Sequence, residues 1–159
     1  MMDILSFFNW LDTSWLADLS KSNGGLFAVV QMFHLLALTV LGGMVLVQDL
    51  RLFNLILQNV ELRDLLRYTQ RWFDFALVTS LVSGIFMSSA VAMKLYYNEM
   101  FWTKMTALLV GAIFVYTIER PLLRQMGDDL RAMTCRLLAA SSLMIWFTVA
   151  ASGRWIGFS

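Results

Sequence analysis

One proline, one cysteine and one histidine stand in 159 residues, and only 14% of the chain is charged. Each shortage excludes something. A lone Cys135 closes no internal disulfide, and without a second cysteine or imidazole there is no CxxC or Cys/His set to hold zinc or an iron–sulfur centre. Cys135 reads as a small apolar residue. The twelve Lys and Arg are nearly balanced by eleven Asp and Glu, for a net charge of +1. No basic stripe remains to neutralise phosphates, so nucleic acid is not an expected partner. The chain also lacks an internal repeat, a low-complexity segment and the paired Gly/Pro-broken helices that build midplane transport sites.

What fills the space is apolar. Hydrophobic residues make up 59% of the chain, whereas a soluble domain carries roughly a quarter of its residues as charges. Four stretches approach the roughly 20 apolar residues that a spanning helix requires: 26–47, 75–93, 101–118 and 137–156. The third has Lys104 near its start, which spans if the amine snorkels to the headgroups. A bilayer leaves backbone groups no partner but one another, so these runs are read as helices. The expected fold is all-α: a four-helix membrane bundle, up-down-up-down, in one domain over 1–159.

The arginines orient it. Arg51, Arg63, Arg67 and Arg71 follow the first span, and Arg120, Arg124, Arg131 and Arg136 follow the third. The opposite side has only Lys21 and Lys94, with Lys104 and Arg154 near helix ends. The positive-inside rule then puts both termini outside the cytoplasm, in the periplasm if the membrane is a bacterial inner membrane. Ahead of the first span, 1–22 has Ile4, Phe8, Leu11, Trp15 and Leu19 at helical spacing, and it has neither a basic leader nor a small-residue cleavage site. It reads as an interfacial helix that ends at Asn23, Gly24 and Gly25. Residues 49–70 also show a helical pattern, with Phe53, Ile56 and Val60 three and four apart, and their arginines are placed among lipid phosphates. On the second span Ser80, Gly84 and Ser88 form a small-residue stripe suited to close helix packing.

The single histidine falls inside the first span. His34 lies eight residues below its start, roughly 12 Å into the bilayer. An ionisable side chain at that depth is costly and points to a ligand, a proton path or an ion. Gln31 lies one turn above it, and Lys104 and Arg154, flanked by Trp102 and Trp155, enter the same half. Heme b suits this set: His34 is the axial ligand, and Lys104 and Arg154 meet the propionates. The sixth position is open to Met87, roughly 9 Å from its helix end, to water, or to His34 of a second protomer. A quinone headgroup on His34 and Gln31 answers the same residues. So does a structural role, in which His34 hydrogen-bonds across helices and the two cations anchor helix ends. At the other end Asp49, Arg51, Asp74, Glu119 and Arg120 all lie near helix ends. They read as interface anchors, with Asp49, Arg51 and Asp74 expected to lock the first two helices.

The run His34-Leu-Leu-Ala-Leu through Gly42 to Asp49-Leu-Arg-Leu, the Ser83-Gly84-Ile-Phe segment, Asn98 with Phe101 and Lys104, and the closing Gly153-Arg154-Trp155-Ile156 resemble an uncharacterised bacterial family of four-helix membrane proteins, domain of unknown function 6644. The resemblance covers nearly the whole chain. It departs at Ser83, where a threonine is expected, and at Asn23-Gly24-Gly25, where a proline-bearing entry is expected. It implies the fold and leaves the chemistry open. The functional expectation is a small inner-membrane protein with a periplasm-facing pocket, heme- or quinone-linked, or a redox accessory subunit. A purely structural subunit of a larger membrane complex is the alternative. Lipids, a second copy or such a complex are the expected partners, and no catalytic residue is assigned.

Topology is testable directly. In a Cys135→Ser background, cysteines introduced at Arg67 or Asp128 should resist a membrane-impermeant reagent added from outside, and one at Asn98 should react. The reverse labelling pattern would invert the orientation.

Overall fold

The structure, a computed structural model, describes residues 4–126 and 131–158. The first three positions of the expected interfacial helix, and the middle of the second arginine-bearing connection with Asp128, lie outside the described residues. The chain is helical throughout, with α1 (Ile4–Asp12), α2 (Trp15–Ser22), α3 (Gly24–Leu52), α4 (Leu62–Ser89), α5 (Ala92–Tyr96), α6 (Glu99–Ile113), α7 (Arg120–Met126) and α8 (Ala132–Trp155). A π-helical turn, Phe114–Glu119, joins α6 to α7, and a 3-10 turn, Ile156–Phe158, closes the chain. Four helical stretches are long and apolar enough to cross a membrane: Gly24–Leu52, Leu62–Ser89, Glu99–Gln125 and Ala132–Phe158. Their outward faces suit lipid, since Leu35, Val82, Leu109 and Phe147 are each 55% to 75% exposed.

Successive spans run antiparallel, and the packing order is not the chain order. α3 pairs with α4, α6 pairs with α8, and α3 against α8 joins the two hairpins. α4 and α6 are barely in contact. In the middle of the bundle Leu41, Val45, Phe73, Leu77, Val115 and Trp146 bury against one another, with the Phe73 and Trp146 rings edge to face at 5.3 Å. The Ser80–Gly84 stripe packs against α3 as expected: Ser80 is buried, and a Cβ on Gly84 would lie 3.4 Å from His34 Cε1.

Three stretches differ from the sequence reading. Residues 4–22 form two helices rather than one. Thr13 Oγ1 donates back to the Asn9 and Trp10 carbonyls, and the Ser14 hydroxyl accepts from the Ala17 amide and starts α2. Asx and hydroxyl side chains compete with the helix in this way. α1 then lies across α5, burying Phe8 and Leu11 against Ala92 and Leu95 at the end of the bundle that carries both termini. The 94–100 connection is therefore partly helical, and Asn98 caps α6 by accepting from the Met100 and Phe101 amides.

The helical pattern over 53–60 is not a helix. Residues 53–61 form a turn with Asn54 (φ 61) and Leu57 (φ 51) in the left-handed region, which L-residues rarely enter. Phe53 packs against the core, and Arg51 Nη2 donates to the Val60 carbonyl across the turn. Of the three spaced apolar residues Phe53 packs on the core while Val60 is exposed, so the spacing of three and four does not mark one face of a helix here. The third span is longer than 101–118, and its π-helical turn directly precedes Pro121. That ring has no N–H for the Thr117 carbonyl and would crowd it in a regular helix, so a wider turn ahead of it relieves the clash.

The α6–α8 seam is held by a glycine. A Cβ on Gly111 would meet Ile145 Cγ2 at 3.0 Å and Trp146 Cζ2 at 3.4 Å. Gly111→Val should cost about 1 to 3 kcal/mol through overpacking, read as a lower unfolding temperature in detergent, whereas Gly43→Ala, with open space around it, should change little. Equal effects at both positions would mean that Gly111 does not set the seam.

Candidate functional site

Two polar layers lie inside the bundle, one in each half. In the half nearer the termini, α3 carries His34 inward, half-buried. Its Nδ1 is 2.8 Å from Ser83 Oγ on α4. Ser83 Oγ in turn lies 2.6 Å from the Thr79 carbonyl, which can only accept. When the Ser83 proton goes to the Thr79 carbonyl, Nδ1–H of His34 donates to Ser83; when it goes to His34, Nδ1 accepts instead. The first tautomer leaves Nε2 with its lone pair, and Nε2 makes no hydrogen bond among the described residues. A hydrogen bond on one ring nitrogen that fixes the other as donor atom is the arrangement by which proteins prepare a histidine for a metal.

Lys104 of α6 lies within electrostatic reach of His34. Its stem runs past Gly153 of α8, whose missing Cβ would sit 3.5 Å from Nζ. Among the described residues Nζ has no hydrogen bond or ion pair. His34, Ser83, Lys104 and Gly153 thus bring all four spans to one level. Other expected members stand apart. Arg154 is exposed, with its guanidinium 4.8 Å from the centre of the Phe158 ring, and Trp155 is exposed beside it. Gln31 is exposed and lines a shallow outer groove on α3 with Met32, Leu35 and Thr39 rather than the His34 face. Met87, one turn beyond Ser83, is half-buried. Ser83 is the member that residue type alone could not single out among the serines of α4.

The second layer lies in the arginine-rich half. Glu119, 1% exposed, accepts from Gln48 Nε2 at 2.7 Å, and Thr69 donates to Gln48 Oε1 at 3.3 Å. Arg120 makes a two-pronged pair with Asp74, at 2.6 and 3.0 Å, and donates to the Gln70 carbonyl. Tyr116 donates to the same carboxylate at 2.6 Å, and its ring lies 4.4 Å from the guanidinium. Asp49 is wholly buried, and neither of its oxygens has a hydrogen-bond partner among the described residues. A cavity of about 10 Å³, room for one water molecule, is lined by Gln48, Thr69, Gln70, Glu119, Arg120 and Ser142 among others. The ion pair expected to join Asp49 and Arg51 to Asp74 does not form. Asp74 instead takes Arg120 of the third span, because α4 turns it toward α7 and α3 turns Asp49 toward Glu119. No cluster of three or more His, Cys, Asp or Glu suited to a metal ion occurs among the described residues.

The helices and the polar layers define a four-helix membrane-spanning protein with an oriented imidazole in its interior. The chain belongs to the DUF6644 family, a family of unknown function, whose signature matches residues 7–159. No curated protein and no solved structure matches it.

α4 and the third span come close at few backbone positions, and beside their shared core side chains the Arg120–Asp74 pair should be the main polar tie between them. Arg120→Ala should destabilise by about 1.5 to 3 kcal/mol, the worth of hydrogen bonds to charged groups. Lys should rescue little of this, because an ammonium cannot form the two-pronged pair. Wild-type thermal unfolding of the Arg120→Ala protein would show that packing alone holds the seam.

Proposed function

We propose that the chain is a bacterial inner-membrane protein that holds heme b through His34, in its outer half, with both termini in the periplasm. The observation that carries this reading is the contact of His34 Nδ1 with Ser83, which leaves Nε2 without a hydrogen bond among the described residues at the level where Lys104 has none either; the reading takes the tautomer with the proton on Nδ1 and the lone pair on Nε2. Donor chemistry fits the group: imidazole nitrogen suits heme iron, and an amine nearer the membrane surface suits a propionate. When bound, heme supplies one-electron transfer. The residues of this chain bind and orient. Ser83 fixes the ring of His34, Gly84 lets that ring lie against α4, and Lys104 meets an acidic group. Arg154 can turn from Phe158 to a second acidic group at the surface. With one histidine per chain, the second axial donor would be Met87 or His34 of a second copy. A membrane subunit that accompanies a redox complex is the role such a carrier would fill.

A second reading has its own support. Nδ1 already makes a cross-helix hydrogen bond, so His34 also serves as a structural tie in a subunit without a cofactor. The visible absorption spectrum of the purified protein separates the two. A Soret band that is lost in His34→Ala, with Lys104→Ala binding heme about 10- to 150-fold more weakly, is the expected result. A colourless wild-type protein that retains extractable quinone would move the ligand to a quinone headgroup. Full heme retention in His34→Ala would remove His34 as the heme ligand, and a wild-type protein with neither heme nor quinone would leave the structural subunit as the account.

A further inference from the structure

The arginine-rich half holds a charge that the chain does not compensate. Asp49 is 0% exposed, and both of its carboxylate oxygens lack a hydrogen-bond partner among the described residues. Ser142 of α8 faces it without reaching hydrogen-bond geometry. The charged group closest in effect is Glu119, a second carboxylate that is 1% exposed. Around them stand Arg120, Asp74 and Arg124. Arg120 is taken up by Asp74 and the Gln70 carbonyl, and Arg124 donates to Gln70 Oε1. Arg51, the third guanidinium near this end, donates to the Val60 carbonyl, and neither Asp49 nor Glu119 is ion-paired among the described residues. An isolated carboxylate in a low-dielectric interior costs several kcal/mol even after relaxation, and repulsion from a neighbouring carboxylate adds to it. Something positive is missing from the set.

We propose that Asp49 and Glu119 together hold one compensating monovalent cation, a proton or a sodium ion, taken from the arginine-rich side of the membrane. The oxygens around the pair suit either source. Gln48 Oε1, Thr69 Oγ1 and Ser142 Oγ come from three helices and, with the carboxylates, form an all-oxygen set of the kind that hard cations prefer. Thr69 and Gln48 already hydrogen-bond each other, which holds their oxygens in place. The water-sized cavity beside Glu119 gives the entry route. Two of its lining residues carry buried donors without partners, Gln70 Nε2 and Arg120 Nε, so one water there links the pair toward exposed Arg124. Pro121 and the π-helical turn place Glu119 at this point of the third span, one residue before the guanidinium that faces Asp74.

The test uses the full chain purified in detergent at neutral pH. Its unfolding temperature is followed as sodium chloride replaces choline chloride at constant ionic strength, and its infrared spectrum is searched for the C=O stretch of a protonated carboxylic acid. Asp49→Asn keeps the shape and removes the charge, and Glu119→Gln does the same across the pair. A rise in wild-type unfolding temperature with sodium that disappears in Asp49→Asn identifies sodium. No sodium response, together with a protonated-carboxyl band that is lost in Asp49→Asn or Glu119→Gln, identifies a proton. A wild-type protein with neither the sodium response nor the band overturns the proposal, as does a response that both variants keep in full. The wild-type measurements decide alone if a variant fails to fold.

Discussion

The two-pronged pair between Arg120 and Asp74 is the tie on which the arrangement of the helices depends. α3 packs along α4 and α8 along α6, and α3 against α8 joins these hairpins. The fourth side, between α4 and the third span, has almost no direct helix packing. Core side chains of the two still share clusters there, Phe73 with Val115 and Leu66 with Leu123, and the polar tie is a guanidinium that touches Asp74, the Gln70 carbonyl and the faces of Phe73 and Tyr116. Arginine suits this place because its planar fork matches a carboxylate while its faces lie on aromatic rings. In lipid, where apolar surface supplies little net drive for helices to associate, one such cluster carries more of the attachment than it would in water. The other half of the same side lacks an equivalent tie, and that is where His34 and Lys104 lie.

The π-helical turn couples this tie to the buried carboxylates. Pro121 cannot continue a regular helix, and the widened turn ahead of it shifts the register of the residues that follow. Glu119 and Arg120 are adjacent in sequence yet serve different partners: Glu119 turns to Gln48 on α3 and Arg120 to Asp74 on α4. A regular helix also fans neighbouring residues about 100° apart, but here both must reach inward from one end of a span. The only proline in the chain therefore stands where two helices are bound at once by consecutive side chains.

Depth was legible in the sequence and azimuth was not. Counting residues along a helix puts His34 and Lys104 at one level whatever the packing, and the structure brings them together. Runs of apolar residues likewise reveal the four spans with no knowledge of their neighbours. The direction in which a side chain points around its helix depends on which partner that helix meets. Gln31 is one turn from His34 yet faces the outer groove, Arg154 stacks on Phe158, and Asp74 meets Arg120 rather than the groups on α3. The serine that orients His34 was hidden for the same reason, since Ser80 and Ser83, less than a turn apart in depth, differ mainly by azimuth. The turn over 53–61 was masked by a different effect: apolar residues at helical spacing also arise in a turn where Phe53 packs on the core and Val60 is exposed.

The two polar layers are kept apart by the apolar middle of the bundle. His34 and Asp49 sit fifteen residues apart on α3, about 22 Å along the axis, and between them Leu41 and Val45 pack with Phe73, Leu77 and Trp146. The indole N–H of Trp146 is a polar atom in that layer, and it makes no hydrogen bond among the described residues. A charge in one half is therefore neither hydrogen-bonded nor solvated toward the other, and groups separated in this way contribute additively when they share no partner. Each half must then settle its own charge: in the half nearer the termini Lys104 has no hydrogen bond or ion pair among the described residues, and in the arginine-rich half neither oxygen of Asp49 has a hydrogen-bond partner among them. Opposite imbalances at opposite ends of an insulating core cannot cancel each other.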